Sequence, residues 1–188
     1  MAGGERLPPL VLVSGAPGAG KTTLARLLGR RLRLPVLHKD AIKEALVDVL
    51  GAPDRAHSRA IGLATYAIFN VVVPELLGAG TGLVLESNFR RGLSEDDLRP
   101  LLAGARGVLV HCAAPHDVII ARYVGRAERG ERHAAHFDAE VLPELRADLA
   151  AERFAPLDLP IPTLRVDTTD GYAPDLEAIA AFARTAAS

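Results

Sequence analysis

The octet GAPGAGKT, residues Gly15, Ala16, Pro17, Gly18, Ala19, Gly20, Lys21 and Thr22, sets three glycines and a proline directly against Lys-Thr. It fits G-x-x-x-x-G-K-[ST] at every fixed position. It also lies between an apolar run read as a strand and a segment with helical spacing, the context that gives the pattern meaning. Glycines let successive backbone N–H groups curl around an anion with no side chain in the way. The helix N-terminus that follows, at Thr22 and Thr23, adds a partial positive charge. Lys21 can reach β- and γ-phosphates, and the Thr22 hydroxyl can ligate Mg2+. The loop is expected to hold a nucleoside triphosphate, ATP foremost. The plainer alternative is an ordinary glycine-rich turn between strand and helix.

Such a loop does not say where the terminal phosphoryl group goes. Two carboxylates fall at strand ends beside it: Asp40, which closes VLHKD, and Glu86, in GLVLESNF. A transferase needs one carboxylate to orient an acceptor hydroxyl and take its proton, and another to position the metal. Asp40 is assigned the first role and Glu86 the second. Each has a plainer reading. Asp40 can cap a helix beginning at Ala41, and Glu86 can pair with Arg90 or Arg91. His38 and Lys39 flank Asp40, where either can touch a substrate or serve structure alone.

Further on, ARYVGRAERGERHAAH carries Arg122, Arg126, Arg129 and Arg132. The first three fall at i, i+4 and i+7, on one helix face, with Gly125 and Gly130 as candidate hinges. Phosphoryl transfer spreads negative charge over the γ-oxygens, and arginines on a mobile lid can stabilise it. Arg126 and Arg129 are expected at the phosphates and Arg122 over the adenine. The alternative is a solvated helix with ion pairs to Glu128 and Glu131. His133 and His136 have metal-ligand spacing, but no further ligands cluster with them, which argues against zinc.

These residues need a scaffold. Five short apolar runs read as strands: Leu10–Ser14, Pro35–His38, Gly82–Glu86, Gly107–Cys112 and Thr163–Val166. Segments with helical spacing separate them: Thr22–Leu34, Asp40–Leu50, Arg55–Leu77 with a bend expected before Pro74, Pro115–Arg132 and Phe137–Arg153. Ser94 is expected to cap a helix opening on Glu95, Asp96 and Asp97, and Pro174 to stand in the first turn of the last helix. Strands alternating with helices predict an α/β fold with a mostly parallel sheet, with ligands at the carboxyl ends of its strands.

The chain of 188 residues is read as one domain, 1–188. Its net charge of −1 gives no field that would draw it to nucleic acid or an anionic membrane. The single cysteine, Cys112, excludes an internal disulfide and reads as a buried, inert thiol. No uninterrupted apolar run approaches a membrane span. The N-terminal MAGGERLPP lacks the pattern of a secretory signal, so the expected location is cytoplasmic.

Taken together, GAPGAGKT, HKD after the second strand, LESNF on the third, the arginine-rich segment and VDTTD near the C-terminus resemble the small P-loop kinases. This group is related to adenylate kinase, gluconate kinase, chloramphenicol phosphotransferase and the zeta-toxin kinases, AAA-type ATP-binding proteins. The resemblance implies a P-loop NTPase three-layer sandwich. Its five-stranded parallel sheet has the order 2-3-1-4-5, with an Arg-rich lid at about 122–137. It implies Mg-ATP as phosphoryl donor and a small hydroxyl compound as acceptor. Asp40 matches the aspartate that serves as base in the chloramphenicol phosphotransferase-like members. The loop after the last strand lies near adenine in this group, which brings in Asp167, Thr168 and Thr169. The third-strand acid is often aspartate; Glu86 is longer, favouring a water-mediated contact with Mg2+.

Acceptor contacts are expected from Asp40, His38, Arg59, Asn88 and Arg90. With three tyrosines and no tryptophan, the chain offers little stacking surface for bases. That favours a sugar or antibiotic-like acceptor over a nucleotide or polynucleotide 5′-hydroxyl. A nucleotide-dependent ATPase switch acting on a protein partner is the alternative of another class. It would need no acceptor base.

Overall fold

The first apolar run forms β1 (Pro9–Ser14), which lies at the centre of a five-stranded sheet. In the computed structural model, which describes residues 7–185, the remaining strands are β2 (Val36–His38), β3 (Leu83–Glu86), β4 (Arg106–Ala113) and β5 (Thr163–Asp167). Their spatial order is β2-β3-β1-β4-β5 and every pairing is parallel. This is the order implied by the resemblance. Because the pairing is parallel, all five carboxyl ends open on one edge of the sheet.

β1 reads as an unbroken apolar run because both of its faces are covered. Val11 and Val13 point into one core layer with Leu24 and Leu28 of α1 (Lys21–Leu32) and Ile179 of α7 (Leu176–Arg184). Leu10 and Leu12 point into the opposite layer, with Phe69, Val73 and Leu77 of α3 (Arg55–Gly78) and Leu98 and Leu101 of α4 (Glu95–Ala103). The other helices are α2 (Lys39–Leu50), α5 (His116–Glu128) and α6 (Asp138–Ala150), with a 3-10 turn at Ala134–His136.

α3 is a single helix with Pro74 inside it. Several local expectations are corrected. By length and composition α3 would also suffice to cross a membrane, at a mean hydropathy of 1.7. Its inner face, Phe69, Val73 and Leu77, is core. Ser94 occupies the cap position of α4, but its hydroxyl accepts from the Arg90 backbone N–H (3.0 Å) instead of the helix. Pro174 precedes α7, which is capped by the Asp175 carboxylate accepting from the Ala178 N–H at 2.8 Å. α5 stops at Glu128 rather than Arg132, and Gly130 (φ +65°) turns the chain away.

Two glycines decide how the loop after β1 sits. Gly15 has φ +138°, and a Cβ there would lie 2.4 Å from the Cys112 carbonyl oxygen of β4. Gly18 has φ +93°, and its Cβ would lie 2.8 Å from the Ile119 carbonyl oxygen of α5. Neither obstacle is the flexible end of a side chain, so the backbone itself would have to shift. Gly15→Ala is therefore expected to lose about 2 kcal/mol or more, a fall in Tm of roughly 4–8 °C for a domain of this size. At Gly104, φ is −99° and the nearest atom is 4.0 Å away, so Gly104→Ala should stay within about 0.5 kcal/mol. Thermal denaturation of the pair checks this.

Candidate functional site

The loop Gly15–Gly20 leads from the end of β1 into the first residue of α1, Lys21. The Lys21 ammonium is buried and donates to the Ala16 carbonyl at 3.0 Å. Burial lowers its pKa, with Glu86 and Asp40 opposing that shift. The loop is tied to the end of β5. The Thr168 hydroxyl lies 3.1 Å from the carbonyls of Ala19 and of Ala113, and Arg122 donates to the carbonyls of Thr168 and Thr169, both at 2.7 Å. The Asp167 carboxylate accepts from the Thr169 N–H at 2.7 Å. Arg122, Asp167 and Thr168 thus gather beside Gly20, on one side of the loop.

Glu86 lies on the other side, 4% exposed. The His38 ring nitrogen Nδ1 is 2.9 Å from its Oε2, the Thr22 hydroxyl donates to the same oxygen at 3.4 Å, and the Lys21 ammonium is 4.0 Å from its Oε1. A buried carboxylate needs such partners. Neither Arg90 nor Arg91 supplies them. The Arg90 guanidinium binds Glu144 (3.2 Å) and Asp148 (2.7 Å), and its flank lies over the Phe154 ring. His38, expected at the acceptor, is instead turned onto Glu86, because β2 places it directly across from Glu86 in the sheet register.

α2 begins at Lys39, with His38 at the cap position, so Asp40 caps nothing. Its side chain stands in the first turn, half-exposed, on the wall of a cavity of about 190 Å³ above the loop. Burial alone would raise its pKa. Lys39 above all, then His136, Lys21 and Arg132, outweigh burial and hold it at about 2. Lys39 Nζ lies 3.4 Å from Asp40 Oδ1 and 5.8 Å from the centre of the Tyr66 ring.

The arginine-rich segment divides. Arg126 faces the cavity, and its buried Nε has no hydrogen-bond partner. Arg129 does not face it. It sits where α5 ends, exposed, and pairs with Glu131 at 2.5 Å. Arg132 takes the place expected for Arg129. The turn at Gly130 carries it back over the Tyr123 ring (5.1 Å), into an ion pair with Asp138 (2.8 Å) and onto the cavity wall. Its helical spacing is lost at the turn, so periodicity gave no signal for this placement. His133 and His136 bind Asp48 (2.9 Å) and Glu44 (2.7 Å) of α2. Among the described residues no three His, Cys, Asp or Glu form a metal-holding cluster.

Lys43 escaped the sequence reading. It follows Lys39 by four residues and Asp40 by three, on one face of α2, so the spacing was there to be read. Its ammonium donates to the Ala135 carbonyl at 3.0 Å, and among the described residues no carboxylate pairs with it. Burial first, then Lys39, lowers its pKa to about 8. Lys39, Lys43, Asn88 and His136 form the border between the cavity above the loop and a second one of about 440 Å³. Arg59 and Arg90 line only the second. Cys112 is buried, and burial pushes its thiol up to about 12, so it is inert.

The family model described as an AAA domain (AAA_33) matches residues 10–151. A "putative kinase" from Chloroflexus aurantiacus J-10-fl is 34% identical and superposes with a TM-score of 0.81, covering 96% of this chain and 98% of that one. A gluconokinase from Sinorhizobium meliloti 1021, at 21% identity and a TM-score of 0.59 over 97% and 95% of the two chains, shares the fold. An uncharacterized protein of Mycobacterium tuberculosis (strain H37Rv) is 32% identical over 127 residues, 63% of this chain. The aligned stretch spans about a quarter of the length of that curated relative, 26%.

Lys43 gives the site a pH signature. Its charge is complete well below pH 8 and is lost as pH rises through that value. Affinity for a nucleoside triphosphate is expected to fall about three- to tenfold between pH 7 and pH 9, the loss of one charged hydrogen bond. Lys43→Met should bind more weakly at pH 7 and show little of this fall. Titration calorimetry at the two pH values measures both.

Proposed function

The chain belongs to the AAA domain family, and on that premise we propose that it is an ATP-dependent kinase. It moves the γ-phosphoryl group of Mg-ATP to a hydroxyl of a small molecule. The observation that carries this reading is the meeting of two cavities along Lys39, Lys43 and Asn88. One is lined by Lys21, Thr22, Asp40 and Arg126; the other is large enough for a small organic acceptor. An ATPase that only switched a protein partner would need no second cavity opening onto the first.

Thr22 and Glu86 would hold Mg2+. A hydroxyl and a carboxylate are hard oxygen donors, and Mg2+ characteristically takes few protein ligands and completes its shell with phosphates and water. When bound, the ion neutralises the β- and γ-phosphate oxygens. Lys21 and Arg126 bring fixed positive charge to the same oxygens. Arg126 is already desolvated and unpaired at its Nε, so it gives up no protein partner when the phosphate arrives.

Asp40 accepts a hydrogen bond from the acceptor hydroxyl and aims its oxygen at the γ-phosphorus. The new O–P bond forms as the bond to the β–γ bridging oxygen breaks, and ADP leaves. The hydroxyl proton passes to Asp40 and then to water. A carboxylate held at about 2 is ionised throughout the neutral range but is a weak base. Its main contribution is therefore orientation, with proton uptake late. That suits a loose transition state in which little charge is lost from the attacking oxygen early.

Lys21→Ala is expected to abolish transfer measured as ADP release, and Asp40→Asn to lose about 10²–10⁴ in rate while still binding ATP. Transfer within about threefold of the parent in Asp40→Asn would remove Asp40 from the chemistry. Arg126→Ala should cost about 10²–10³ in kcat, the scale of a lost electrostatic donor. Arg129→Ala should stay within about twofold, since that side chain faces solvent. The ratio of the two arginine variants tests the division of the arginine-rich segment.

A further inference from the structure

Behind the phosphate loop lies a further cavity, of about 310 Å³, which shares no lining residue with the one above the loop. Ala16 forms part of its wall, but Lys21, Thr22, Asp40 and Arg126 do not. Its polar side chains are Arg91 after β3, His111 on β4, His116 at the start of α5, Glu152 after α6 and Arg165 on β5. None of them takes part in the transfer proposed above.

His111 is 4% exposed, and its Nδ1 lies 2.9 Å from the Ser14 hydroxyl at the end of β1. Nε2 is the ring's other polar atom, and among the described residues nothing bonds it. Burial first, then the charges of Arg165 and Lys21, lower the ring's pKa to about 4, so it is neutral at pH 7. A neutral ring that accepts from the Ser14 hydroxyl at Nδ1 presents Nε2–H as a donor.

Two guanidinium groups accompany it. The parallel pairing of β4 and β5 puts Arg165 directly across from His111. The Arg91 N–H donates to the Arg153 carbonyl at 2.8 Å, which ties the loop after β3 to the turn after α6. Both arginine side chains are exposed, and among the described residues neither makes an ion pair. Glu152, the single acid on the wall, is exposed and pairs with neither of them. His116 is exposed on the same wall.

We infer that this cavity is an oxyanion site separate from the phosphate loop, taking phosphate or a phosphate monoester. Arg91 and Arg165 would each present a fork of N–H donors to its oxygens, and His111 Nε2–H would donate from the buried side. Two fixed positive charges against the one negative charge of Glu152 favour an anion over a neutral ligand. The forked donors favour a tetrahedral oxyanion over a halide.

The test uses the whole chain with its nucleotide site filled by Mg2+ and the β,γ-imido analogue of ATP, so that the phosphate loop is closed to other anions. Inorganic phosphate and methyl phosphate are titrated in turn at constant ionic strength. The readouts are titration calorimetry and the NMR signals of the histidine ring nitrogens. One phosphate is expected to bind with a Kd of about 1 mM, the affinity of a few charge-assisted hydrogen bonds, and to move the His111 signals. Arg91→Gln combined with Arg165→Gln, at two exposed positions, should weaken that binding at least about tenfold, while affinity for the ATP analogue stays within about twofold. Tighter binding of inorganic phosphate marks the free ion as the ligand; tighter binding of methyl phosphate marks a phosphate ester.

No binding below about 10 mM, or binding that leaves the His111 signals unmoved, overturns the site. So does an equal response to chloride, or undiminished binding in the double variant. Each of these results leaves the kinase reading as it stands, because the nucleotide site is filled throughout.

Discussion

A carboxylate buried at the tip of β3 holds the working end of this protein together. Glu86 meets His38 from β2, and Lys21 and Thr22 from the first turn of α1. Left alone, a charge at that depth would cost several kcal/mol. Surrounded as it is, it fixes three separate elements relative to one another. The lysine and the hydroxyl next to the phosphate loop are therefore placed before any nucleotide arrives. His38 belongs to this arrangement. In the register of a parallel pair it lies directly across from Glu86, where it meets the carboxylate from the neighbouring strand.

The second constraint is steric. The loop can leave β1 and enter α1 only by passing close to the backbone of β4 and α5, and Gly15 and Gly18 are the points of closest approach. The same crowding brings the loop after β5 within reach, so that the Thr168 hydroxyl donates to the Ala19 carbonyl and Arg122 holds the carbonyls of Thr168 and Thr169. Sheet order thus matters to the site. β1 is flanked by β3 on one side and β4 on the other, and the segments that follow them bring Asn88 and, on α5, Tyr123 and Arg126 to the cavity above the loop.

The third is the seating of the segment after α5. Lys43 and Ser58 both donate to the Ala135 carbonyl, while His133 and His136 bind acids of α2. These contacts close the border between the two cavities. They also crowd Lys39, Lys43 and Arg132 together with few acids among them. Burial above all, with the repulsion of Lys39 and Arg132 added to it, lowers the pKa of Lys43 to about 8.

The phosphate loop was fully legible in the sequence, because its glycines, lysine and threonine are close neighbours in the chain and their chemistry is local. The five strands and their parallel arrangement were legible too, since short apolar runs separated by helical spacing leave few alternatives. Asp40 and Glu86 could be singled out because strand ends are where such folds gather ligands. What the sequence did not carry was the choice of partner for each side chain. Arg90 as a partner for Glu86, Arg129 at the phosphates, Asp40 as a helix cap and Pro174 within a helix were all reasonable by spacing. Each was decided otherwise by the folded chain: Arg90 pairs with Asp148, Arg132 turns back onto Tyr123, α2 starts two residues before Ala41, and Asp175 caps α7 after Pro174. The second cavity is of the same kind, because its walls come from α3, the end of β3 and α4, which only folding brings together.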